Sequence, residues 1–94
     1  MTNQQITFFK ELADIQKCCT NVALSKENKY HSTEELLKDV TYDVIYKIME
    51  LLDGYGGNLP KCNIVNSETK EIINSNIQLH DKCVDFLEDS YSSK

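Results

Sequence analysis

Arginine is absent from this chain: all ten of its cations are lysines. Arginine forks onto guanine edges and clamps phosphates with two parallel hydrogen bonds, whereas lysine supplies only a point charge. With a formal net charge of -5 as well, binding to nucleic acid is disfavoured both by sign and by residue type. The frequent Lys, Asn and Ile also fit AT-rich coding, as in many bacteria and their phages, so the missing arginine describes capability and not selection. Tryptophan is absent too, and proline occurs once. No apolar run approaches the roughly 18 residues that span a bilayer, and Lys10, Glu11 and Asp14 interrupt the N-terminal stretch where a secretory segment needs an uncharged core. The expectation is a cytoplasmic protein with no membrane partner. Its four cysteines, Cys18, Cys19, Cys62 and Cys83, are then free thiols.

Glycine is almost as scarce, and all three copies fall in one place, Gly54, Gly56 and Gly57, with the single proline at Pro60. A phosphate-cradling loop needs its glycines after a strand and before a helix, where free amide hydrogens point at the anion. Here they follow the apolar run "IMELLD", beside Asp53. That order reads as a helix stop, with Gly54 as the left-handed closing residue.

What the chain does contain is helical periodicity. From roughly Gln4 to Ala23, the residues Phe8, Leu12, Ile15, Cys19 and Val22 recur at spacings of four, three, four and three. A polar connection follows, Ser25 to His31. Ser32 then stands three residues ahead of Glu35, the signature of a capping box, and opens a helix from about Thr33 to Asp53. Its apolar face holds Leu37, Val40, Val44, Ile48 and Leu51, and its opposite side collects Glu35, Asp39, Asp43, Glu50 and Asp53. A break near Asp39 to Thr41 is the alternative. Between Cys62 and Asn74, two β-branched pairs, Ile64-Val65 and Ile72-Ile73, flank a turn-like polar segment and predict a small β-hairpin. The helical period returns from about Ile77 to Tyr91, capped by Asn74, Ser75 or Asn76, and the terminal "SSK" is expected to fray. Residues 1–94 thus form one α-dominated domain, a bundle of three to four helices with a small hairpin before the C-terminal helix.

Chemistry-bearing combinations are few. His80 and Cys83 stand three apart on the last helix with Cys62 in reach, but a structural zinc site needs four ligands, and no C-x-x-C occurs. As a nucleophilic dyad the same pair lacks an orienting third group. Glu11 with Asp14 and Glu50 with Asp53 have the spacing of carboxylate pairs in helical metal-dependent hydrolases, yet the apolar pattern turns them towards solvent. No catalytic residue, metal or cofactor is therefore assigned.

Folding explains least about the acidic strip of the second helix. Glu35, Asp39 and Asp43 are like charges four residues apart, a mildly destabilising arrangement, and Tyr42 and Tyr46 lie beside them. Tyrosine supplies large, stiff contact area with a polar tip. Glu35, Asp39, Tyr42, Asp43, Tyr46 and Glu50 are accordingly the expected binding face for a basic protein partner. The expected function is a non-enzymatic interaction protein, of immunity, antitoxin or phage-regulator type. The alternatives are a homo-oligomer built on the first-helix seam and a small metal-dependent hydrolase.

Overall fold

The computed structural model describes residues 1–89, and helix dominates them. The expected end of the last helix at Tyr91 and the terminal "SSK" lie outside the described residues. α1 runs Asn3–Ser25 and opens with a capping box that the sequence reading overlooked. Thr2 Oγ1 accepts from the Gln5 amide at 3.1 Å, and Gln5 Oε1 accepts from the Thr2 amide at 2.7 Å. A short 3₁₀ turn, Glu27–Lys29, then reverses the chain into α2, Thr33–Glu50.

Ser32 caps α2 as its spacing predicts, accepting from the Glu35 amide at 3.1 Å. The return bond differs: Glu35 Oε1 accepts from the His31 amide, one residue outside the usual box, at 3.3 Å. α2 continues through Asp39 to Thr41 without a break, and Thr41 spends its hydroxyl on the Leu37 carbonyl. Beyond Glu50 the coil widens into one π-helical turn, Leu51–Tyr55, and Gly54 within it breaks the helical path with φ of +98°. A Cβ on Gly54 would lie 3.2 Å from both the Lys61 amide nitrogen and Lys61 Cβ, so side-chain space as well as φ selects glycine here.

Ala23 lies beside Leu36 while Phe8 and Phe9 lie beside Leu52, so α1 and α2 run antiparallel. The third helix is shorter than its periodicity predicts. α3 covers only Leu79–Cys83, and bonds from the Phe86 and Leu87 amides to the Cys83 carbonyl then close it as a turn.

The expected hairpin does not form. Ile64 to Ile73 come together through one antiparallel bridge, Val65 with Ile72, and no strand develops among the described residues. The reason is local. Where a second ladder rung would use backbone, the Asn74 side chain intervenes, accepting from the Ile64 amide and donating to the Cys62 carbonyl, both at 2.9 Å. Asn74 is fully buried, so this amide is the hub of the loop rather than the helix cap its position suggested. At the loop's tip, Asn66 Oδ1 takes the amides of Glu68 and Thr69, and Lys70 adopts a φ of +66°.

Few apolar side chains are fully enclosed. Leu51, Leu59 and Leu79 are buried, as are Cys19 and Ala23 in α1. The leucines come from the π-helical turn, the glycine loop and α3, which places the densest packing at that end of the molecule.

Candidate functional site

That same end carries the best-organised polar chemistry. The Asp53 side chain, only 1% exposed, reaches from the π-helical turn across to α3. Its two oxygens accept from the backbone amides of Leu79 and His80, each at 2.9 Å, and Oδ2 also meets His80 Nδ1 at 2.6 Å. Asp53 is thus a helix cap supplied from 26 residues earlier in the chain, which explains why Gln78, at the cap position, makes no capping bond of its own. Burial by itself would raise the Asp53 carboxyl. The amides of His80 and Leu79, with the imidazole, outweigh that effect and hold its pKa below the ordinary aspartate value. A carboxylate can only accept, so Nδ1 carries the proton and Nε2 is left facing away from Asp53.

Rings surround this imidazole. Tyr46 from α2 and Tyr55 from the π-helical turn both meet His80 edge to face, with centroids 5.7 Å and 5.2 Å away. Tyr42 stacks on Tyr46 at 6.4 Å with planes 5° apart, and Gln78 Nε2 donates to the Tyr55 hydroxyl at 3.0 Å. The result is a continuous row, Tyr42, Tyr46, His80 and Tyr55, crossing from α2 over α3. Burial pushes the Tyr42 phenol up, and the Asp89 carboxylate adds to the effect.

A carboxylate that fixes an imidazole is one half of an acid–base constellation, so the neighbouring thiol matters. Cys83 Sγ turns towards the His80 carbonyl at 3.6 Å. Burial, and then the Asp53 charge, raise its pKa, so the group stays a protonated thiol at neutral pH. Among the described residues, no three His, Cys, Asp or Glu side chains gather as metal ligands would. Glu11, of the first carboxylate pair, accepts from the Asn58 amide at 3.4 Å, while Asp14 is exposed.

The six residues of the expected partner face divide. Asp39 does not look outward: it is 7% exposed, pairs with Lys26 at 3.3 Å and accepts from the Tyr30 hydroxyl. It ties α2 to the inter-helix connection, which also relieves the like-charge repulsion expected along the strip. Glu35 is spent on the start of α2. Tyr42, Asp43, Tyr46 and Glu50 remain half-exposed, and the two tyrosines sit in the ring row. Asp43 also borders α1, where its charge, after burial, helps raise the Cys19 thiol. Sequence reasoning missed Asp53, His80 and Tyr55 as one unit. The His80–Cys83 spacing drew attention to the right helix, and the group that fixes the histidine is Asp53, 27 residues earlier.

No family model, curated protein or solved structure matches the chain. Among the described residues, no helix is long and apolar enough to cross a membrane.

Proposed function

We propose that this chain is a non-enzymatic protein-interaction module that meets a basic partner through the ring row of α2 and α3. The row itself carries the reading. Four rings held by mutual contacts, by Asp53 and by Gln78 present aromatic area whose ordering entropy has already been lost in the fold. Asp43 and Glu50 flank Tyr46 on α2, and Asp81 and Asp85 stand exposed on and after α3, so carboxylates outnumber the cations of the same segments, Lys47 and Lys82. Aromatic anchors bordered by an excess of negative charge suit a partner surface of the opposite sign.

Affinity capture from the native host, with the partner then titrated at rising salt, tests the reading. Tyr46→Ala removes the central ring and should weaken binding by about 30-fold, a hot-spot loss near 2 kcal/mol. Salt should weaken it further. Binding that ignores both, with the helical circular dichroism of the variant intact, refutes the proposal.

A further inference from the structure

A different face of the molecule is left uncovered. Along the antiparallel α1–α2 hairpin runs a trough of about 500 Å³ between Leu12, Ile15, Cys19, Val40, Val44 and Ile48. It continues past Thr20 and Val40 into a second hollow of about 240 Å³ that includes Leu24 and Leu37. Near the start of α1 a third, of about 530 Å³, lies under Phe8 and Phe9. Glu27, at one extremity, is the only charged side chain lining the three. Phe9, Leu24 and Leu37 are more than half exposed there, at 54%, 58% and 57%.

The exposed area exceeds the average for a folded monomer of this mass. At 10.8 kDa a folded monomer presents about 5,500 Å² of surface. This chain presents 6980 Å². Subtracting an unfolded chain's full area for the five residues after Asp89, about 800 Å² as an upper bound, leaves roughly 900 Å² above the about 5,300 Å² expected for residues 1–89. One side of a standard protein interface buries about 800 Å². The seam of α1, with its four-three-four-three spacing, is the pattern that coiled-coil and four-helix bundles use.

We infer that the α1–α2 face is the interface of a two-fold symmetric homodimer, in which two helical hairpins close on each other as a four-helix bundle. A second copy satisfies what the face presents: it brings an apolar surface of the same length and the same lack of charge. A basic partner would find a single carboxylate, Glu27, at one extremity of the face. Each protomer carries a net charge of -5, so repulsion is confined to the rims, and salt should tighten the dimer instead of loosening it. That response is opposite in sign to the one expected of the ring row's partner.

Sedimentation equilibrium from about 5 to 500 µM tests this, since a dimer of micromolar affinity passes through its transition in that range. The expected limit is twice the chain mass of 10.8 kDa. Leu37→Lys and Phe9→Lys each place a charge in one of the two hollows beyond the trough, at a mostly exposed position, so the protomer should keep its helix signal. Each should weaken association by at least about tenfold. A monomer throughout the range overturns the inference, as does an assembly whose mass neither substitution changes.

Discussion

Replacing Asp53 should do more damage than its place at the end of a helix suggests. Its carboxylate takes two amides and an imidazole at 2.9 Å, 2.9 Å and 2.6 Å, in a site only 1% exposed. Hydrogen bonds to a charged group contribute about 1.5–3 kcal/mol each when tested by mutation. The three share one acceptor and are not additive, and α3 can fray rather than leave its amides buried without partners. Asp53→Ala should therefore cost about 3 kcal/mol, and Asp53→Asn, which keeps one carbonyl oxygen, about half of that. In a domain of this size 1 kcal/mol moves the melting temperature by about 4–8 °C, so the alanine variant should melt at least 10 °C lower. The pH dependence gives a second check. Because the folded-state pKa of Asp53 lies below its unfolded value, its contribution is fully present above about pH 4. It is lost as pH falls through the folded value. Urea titrations at pH 7 and pH 3 should thus show the gap between wild type and Asp53→Ala narrowing in acid, and hydrogen exchange at Leu79 and His80 should accelerate in the variant. A melting shift under about 2 °C, or a gap of equal size at both pH values, would refute the capping argument.

Three further substitutions probe the connection that Asp53 anchors. Asn74→Ala strips partners from the Ile64 amide and the Cys62 carbonyl, at a cost of about 3 kcal/mol, and should expose Lys61 and Lys70 to much faster tryptic cleavage; unchanged cleavage would show that the loop holds without its hub. Gly54→Ala and Gly57→Ala both force a side chain into positive φ, costing about 1–2 kcal/mol, but only at Gly54 does the new Cβ meet Lys61 at 3.2 Å, while at Gly57 it meets nothing within 4 Å. Urea midpoints should rank Gly54→Ala below Gly57→Ala, and equal midpoints would count against the close approach to Lys61.

Periodicity and capping chemistry made α1, α2 and the glycine stop legible, because each depends on residues within one or two turns of one another. The burial of Asp39 and Asp53 was not legible. A hydrophobic pattern reports the polarity of a side chain, and nothing near Asp39 in sequence says that Lys26 and Tyr30 arrive from the preceding connection to neutralise it. Likewise the β-branched pairs around residues 64 and 72 have strand propensity, but a buried amide from Asn74 occupies the backbone groups that a ladder would need. The last helix stops early where the apolar stripe continues, and Phe86, 87% exposed, finds nothing to cover it within the described residues. For the ring row, the tyrosines were visible and the contact between Tyr55 and His80 was not, since it spans the whole loop.

The anchoring of α3 by a residue from the π-helical turn makes everything between Gly56 and Gln78 a tethered excursion with both feet nailed down. Its tip, at Ser67 to Thr69, is exposed and bonded only to neighbours. Closure entropy grows by only about 0.6 kcal/mol for each doubling of such a span. A peptide grafted there, an epitope or a second binding segment, would be displayed on a stalk whose base the fold already holds in register.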